Sequence, residues 1–182
     1  MKPSIDHIIE ILQYRGNEQY GQEAVSQLEH ALQCATIAQS NYASPELIAA
    51  CLLHDFGHLI HQWGEDAATR GIDDRHEYCA LPFLSLLFSS AVTEPIRLHV
   101  VAKRYLCTEN SEYWQALSPA SQHSLKLQGG ILSPEETMTF VNHPYAKEAV
   151  KLRMWDDQAK QVNYPTPRLE DFIPTLEACV KS

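Results

Sequence analysis

The chain is short of positive charge: 14 Lys and Arg stand against 23 Asp and Glu in 182 residues, a formal net charge of −9. Nucleic-acid backbones are gripped by clustered Lys and Arg, so a duplex or RNA partner is not expected. No apolar run approaches the roughly 18 to 20 residues that span a bilayer, so a membrane partner is not expected either. The first stretch, Met1 to Gly16, carries acidic side chains and no compact apolar region, so it does not read as a secretory signal. Cysteine is sparse and scattered: Cys34, Cys51, Cys79, Cys107 and Cys179 are odd in number and include no CxxC pair. That pattern argues against a disulfide framework and fits reduced thiols in a cytoplasmic protein. Low-complexity tracts, internal repeats and linker-like segments are lacking as well, so residues 1–182 are expected to form one domain.

Strand signals are nearly absent, and the apolar residues recur at helical spacing instead. Ile8, Ile9, Ile11 and Leu12 give a short first helix, and Val25, Leu28, Ala31, Leu32, Ala35 and Ala38 a second from Gln22 to about Ser40. Ser44-Pro45, Ser118-Pro119 and Ser133-Pro134 each pair an N-cap serine with a proline at the first helical position. Glu136 completes a capping box with Ser133, and Gly129-Gly130 closes the helix opened by Ser118. Further helices are expected from about Arg75 to Phe88, from Thr93 through Tyr105, from Pro144 through Asp156, and near Pro174. The predicted fold class is all-α.

What the chain has in quantity is histidine, nine residues, several of them inside apolar helical text. The sharpest local feature is His54-Asp55-Phe56-Gly57-His58, after the apolar run Ala49 to Leu53. Neighbouring side chains on a helix are about 100° apart, close enough for His54 and Asp55 to reach one metal ion. Imidazole and carboxylate together suit iron, manganese or zinc, and Gly57 lets the backbone turn away without crowding the site. His30, His76 and His99 lie on successive helical segments, and Asp156 follows on a late one. One buried histidine is ordinarily a hydrogen-bonded core residue. Four of them with an HD dyad would strand unpaired polar groups unless a cation collected them, and two aspartates and four imidazoles can serve two metals with Asp55 bridging.

The ordered set His30, His54-Asp55, His76, His99, Asp156 resembles the HD-domain superfamily in its six-ligand form, the mixed-valence diiron oxygenases. The similarity is greatest to the phosphonate-cleaving branch and runs through nearly the whole chain. It rests on Tyr20-Gly21-Gln22-Glu23, on the segment Gln27 to Cys34, on Leu53 to His58, on His99-Val100-Val101-Ala102-Lys103-Arg104-Tyr105-Leu106, on Leu117 to Ser121 with Gln128-Gly129-Gly130, and on Arg153-Met154-Trp155-Asp156. The resemblance implies an HD-domain helical bundle with a buried dimetal site. It implies two iron ions, Fe(II) and Fe(III), with O2 as co-substrate. One iron would be held by His30, His54, Asp55 and Asp156, the other by His76, His99 and the bridging Asp55. The implied reaction cleaves the C–P bond of a small 1-hydroxyphosphonate to phosphate and a carboxylate, glycine betaine or glycine for a 2-trimethylammonio- or 2-amino-1-hydroxyethyl substrate.

By the same resemblance His58, Lys103, Ser121 and Arg153 bind the phosphonate, with Ser124 a further candidate. Lysine supplies a point charge, arginine a forked donor and serine a hydroxyl, which is what such an anion needs. Lys103 follows His99 by one helical turn and Arg153 precedes Asp156 by three residues, so each pair shares a face. Arg104 reads as a solvated surface charge. Tyr20 is implied to occupy an iron position until substrate arrives, and Glu23 to sense the substrate's cationic end. Both would point one way if their segment is helical. The loop from Gln62 to Asp74, with Trp63, Glu65 and Asp66, would favour a quaternary ammonium group. The alternative reading is an HD-type metal-dependent phosphohydrolase; a non-catalytic regulatory module would be expected to have lost ligands, and all six positions are filled. The sequence sets no oligomeric state.

Overall fold

The computed structural model describes residues 3–21, 23–60 and 70–181. Among these residues there are twelve α-helices and no strands: α1 (Ile5–Arg15), α2 (Gln27–Ser40), α3 (Pro45–Leu53), α4 (Phe56–Ile60), α5 (His76–Cys79) and α6 (Leu81–Leu87) in the first half. The second half holds α7 (Ser90–Glu109), α8 (Ser111–Ala116), α9 (Pro119–Leu127), α10 (Pro134–Val141), α11 (Ala146–Gln158) and α12 (Ile173–Ala178). The all-α expectation holds. No helix among the described residues is long and apolar enough to cross a membrane.

The serine caps work as the sequence indicates. Ser44, Ser118 and Ser133 accept from the backbone N–H groups of Leu47, Ser121 and Glu136, and each following proline sits in the first turn. Boundaries differ where local capping and proline chemistry outweigh periodicity. The second helix starts at Gln27, because Ser26 and Glu29 form a capping box that stops it there. The expected 75–88 helix is two pieces that meet at Ala80, and α7 begins at Ser90 with Pro95 inside it. The helix expected from Pro144 begins at Ala146, and α8, capped by Asn110, had no sequence signal strong enough to name it.

The centre of the molecule is α3. Every residue from Leu47 to Leu53 is buried, as expected of a helix that is apolar all round. It packs against α2, α7, α11 and α12, and α7 packs in turn along α11. Buried on α7 are Val92, Ile96, His99 and Lys103, a stripe of three- and four-residue steps that runs from apolar core to polar site on one face. The same packing that excludes water from the core therefore carries a histidine and a lysine inward.

Candidate dimetal and anion-binding site

His30 on α2, His54 at the end of α3, His76 at the start of α5, His99 on α7 and Asp156 on α11 converge around Asp55, and all are buried. Each imidazole is oriented through Nδ1. His30 Nδ1 donates to Ala159 O at 2.8 Å, His54 Nδ1 to Cys51 O at 2.8 Å, and His99 Nδ1 to Ile96 O at 2.7 Å. His76 Nδ1 donates to Asp74 Oδ1 at 2.9 Å. Carbonyl and carboxylate oxygens only accept, so the Nδ1 atoms carry the protons and the four Nε2 atoms present lone pairs.

Those lone pairs face one another. His30 Nε2 lies 3.1 Å from His54 Nε2, and His76 Nε2 lies 3.1 Å from His99 Nε2. Asp55 divides its oxygens between the two pairs. Its Oδ2 is 3.5 and 3.3 Å from the Nε2 atoms of His30 and His54, and its Oδ1 is 3.3 and 3.6 Å from those of His76 and His99. Asp156 Oδ1 stands 3.4 Å from His30 Nε2. Asp55 Oδ2 and Asp156 Oδ1 are buried without a hydrogen-bond partner.

Donor atoms 3 to 4 Å apart, all lone pairs, fit cations bound at about 2 Å by nitrogen and oxygen. Two groups could each hold a metal: His30, His54 and Asp156, and Asp55, His76 and His99. Burial by itself would lower the His54 imidazole, but the Asp55 charge beside it wins and raises it to about 10. Burial would raise Asp55, yet the neighbouring His54 and His76 hold its carboxyl well below the usual range. A site this basic and this rich in carboxylate takes a cation where it would otherwise take protons.

The backbone around the dyad is arranged differently from the expectation. Gly57 does not release the chain from a helix; it lies within α4, and a Cβ there would sit 2.0 Å from the carbonyl oxygen of His76. Its role is close approach: α4 touches the start of α5, which brings His76 to Asp55. Arg75, with φ +50°, makes the left-handed turn that places Asp74 and His76 side by side.

A cavity of about 100 Å³ adjoins the cluster, lined by Tyr20, His58, Lys103, Ser121, Ser124 and Arg153 together with Asp55, His76, His99 and Asp156. Every anion-binding candidate named from the sequence therefore meets the metal candidates at one cavity. His58 stacks on His76 at 3.9 Å, its Nδ1 2.8 Å from Asp74 Oδ2. Lys103 Nζ donates to Ser124 Oγ at 2.9 Å; burial, and then the Arg153 charge, lower its ammonium to about 7. Arg153 is already engaged: Nη1 donates to Asp156 Oδ2 at 2.7 Å, and the rest of the guanidinium reaches Tyr113 and Asp157. Arg104 is not a solvated charge but ties the loop after α9, donating to Gly130 O at 2.8 Å and to Glu136.

Tyr20 stacks on His30 at 3.9 Å, and burial with the Asp55 charge pushes its phenol well above the usual range. The segment that carries Tyr20 and Glu23 is not helical. Gly21 takes φ +53° and Glu23 N donates to Tyr20 O, a tight turn that sends the two side chains to different neighbours. Glu23 Oε1 accepts from Ser118 Oγ at 2.5 Å and from Lys160 Nζ at 3.2 Å, behind the Tyr20 wall. Trp63, Glu65 and Asp66 lie outside the described residues.

Sequence reading missed Tyr113, Asp157 and Lys160, and it treated Asp74 only as loop charge. An Asp two residues before a candidate ligand histidine was a usable signal for Asp74. Asp157 stands four residues after Arg153, a helical pairing distance, whereas nothing local marks Tyr113 on α8 or Lys160 just after α11.

No family model matches the chain. Among curated proteins it is similar to a hydroxymethylphosphonate dioxygenase of Gimesia maris, 42% identical over 178 residues, covering 97% of this chain and 88% of that one. It is also similar to a 1-hydroxy-2-(trimethylamino)ethylphosphonate dioxygenase (glycine-betaine-forming) of Leisingera caerulea, 39% identical over 176 residues, covering 97% and 90%. An uncharacterised protein of Acanthamoeba polyphaga mimivirus is 35% identical over 160 residues, covering 86% and 73%.

Proposed function

The chain belongs to the phosphonate dioxygenase family, and on that premise we propose that it is a diiron oxygenase that cleaves the C–P bond of a small 1-hydroxyphosphonate. The observation that carries the reading is Asp55, one carboxylate whose two oxygens face two separate imidazole pairs. Nitrogen and oxygen donors in that mixture suit iron, and the HD-type arrangement of His30, His54, Asp55, His76, His99 and Asp156 supplies six side chains for two ions. Two ions held by these six side chains would have room for further ligands, and an iron pair would supply the electron chemistry with O2 that an all-protein site lacks.

The chain's own residues do the rest. Lys103, Ser121 and Ser124 line the wall of the cavity next to the metal candidates, where a phosphonate would find a cation and hydroxyl donors. Lys103 emerges from the buried face of α7, so its charge is spent inside the site and not in water. Arg153 orients Asp156 and lines the cavity with its guanidinium. His58, stacked on His76 and bonded through Nδ1 to Asp74, is pushed toward its neutral form by burial and the His76 charge, with Nε2 4.0 Å from Asp55 Oδ1. Tyr20 covers His30 as a neutral phenol, shielding that side of the cluster from water until substrate displaces it.

Overall one O2 is consumed, both its atoms appear in products, and phosphate leaves with a carboxylate. That carboxylate is glycine betaine or glycine from substrates with an ammonium arm and formate from hydroxymethylphosphonate. The test is stoichiometry with iron-loaded protein: one O2 consumed per phosphate released from a hydroxyphosphonate. Phosphate release that proceeds equally without O2, or from a phosphate ester, would replace this reading with a metal-dependent phosphohydrolase.

A further inference from the structure

The two named relatives differ in whether the substrate carries a cationic arm. Resting on the hydroxyphosphonate reading above, we propose that Lys160 is a specificity-determining residue that confines this chain to substrates without an ammonium group. Lys160 Nζ lies 3.2 Å from Glu23 Oε1, 3.1 Å from Ser121 Oγ, and 5.8 Å from the centre of the Tyr20 ring. It therefore joins the carboxylate behind the cavity wall to a hydroxyl and an aromatic ring that form the wall itself.

Its place is fixed by the fold. The residue before it, Ala159, is pinned through its carbonyl by His30. The residue after it, Gln161, exchanges two bonds with Gln33 on α2: Gln161 N donates to Gln33 Oε1 at 3.0 Å, and Gln33 Nε2 donates to Gln161 O at 2.9 Å. The Lys160 and Glu23 side chains are 13% and 17% exposed, so their attraction is only weakly screened.

Among the described residues, the charge inventory around the cavity then decides the substrate. Asp55 and Asp156 face the imidazoles, and Asp74 receives His58 and His76. Glu23 already holds Lys160 and Ser118, and Asp73 stands at the exposed rim. An ammonium group entering beside Tyr20 and Ser121 would find Glu23, the carboxylate beyond that wall, already paired with the Lys160 ammonium. Like charges at such range disfavour the wrong ligand more than they help the right one, the usual logic of exclusion. For hydroxymethylphosphonate the balanced reaction is HOCH2PO3(2−) + O2 → HCO2(−) + HPO4(2−) + H(+), with carbon oxidised and O2 reduced.

The test compares two substrates of nearly equal size, 2-amino-1-hydroxyethylphosphonate and 1-hydroxypropylphosphonate, in which a methyl replaces the ammonium. Each is measured as kcat/KM, and as an inhibition constant against hydroxymethylphosphonate turnover. The wild type is expected to favour the neutral compound by about tenfold or more, since one desolvated like-charge contact is worth at least that. Lys160→Met should shrink the gap toward equality and Lys160→Arg should restore it, a pattern that loss of packing alone would not produce. Equal treatment of the two compounds by wild type, or a gap unchanged in Lys160→Met, would overturn the proposal. Failure of the wild type to release phosphate from hydroxymethylphosphonate itself would instead overturn the function on which it rests.

Discussion

His30 and His54 hand their Nδ1 protons to main-chain carbonyls, whereas His76 hands its proton to a side chain, Asp74. His30 lies on the fourteen-residue α2 and His54 caps the fully buried α3, while His76 opens a helix of four residues behind the left-handed turn at Arg75. Both halves of the cluster present the same pair of lone pairs 3.1 Å apart. They reach it by different routes. One half is positioned by the scaffold that also makes the core. The other takes His99 from the core helix α7, but its His76 depends on a single carboxylate, a strained residue and the close approach at Gly57. Metal sites are tuned by such outer partners, so the two halves should respond differently to substitution.

The largest expected effect ignores that difference. Asp55→Ala removes the one residue shared by both halves, and metal analysis should find neither ion retained. Two irons held by that variant would sink the ligand assignment. Next come the cations of the cavity wall, which lie outside both halves. Lys103→Ala should keep both metals and weaken hydroxyphosphonate binding by roughly 1.5 to 3 kcal/mol, the range for a charge-assisted bond. Arg153→Ala should weaken binding similarly and also loosen the ion held by Asp156, because Arg153 Nη1 donates to that carboxylate. Unchanged affinity in either variant would return that residue to a structural role.

The narrowest effect addresses the comparison directly. Asp74→Asn should weaken one of the two ions by about 10- to 100-fold, the usual scale for an outer-shell partner of a ligand histidine. An ion at the group His30, His54 and Asp156 should be retained. Metal titration followed by stepwise chelation separates the two, and equal weakening of both ions would show the halves to be one rigid unit.

Much of this was legible in the sequence because the site is written on helices. His99 and Lys103 share the buried stripe of α7, and Arg153 and Asp156 share a face of α11, so periodicity alone brings each pair to the cavity. Ser44-Pro45 and Ser118-Pro119 fixed two helix starts through local capping chemistry. The failures occur where local rules do not reach. The break at Ala80 is an exception, since Pro82 in the first turn of α6 cannot donate to a helix continuing from α5. Gly57 looked like a helix terminator, but its purpose is a contact with His76 nineteen positions away in sequence. Glu23 and Lys160 are 137 residues apart, and only the folded chain makes them a pair.

The most direct test of the dimetal reading is metal analysis with a Mössbauer spectrum of the wild-type protein purified without oxygen. Two irons per chain, giving the spectrum of a magnetically coupled pair, is the result this structure leads one to expect. A single iron per chain, or two uncoupled sites, would contradict the assignment of Asp55 as the bridge between them.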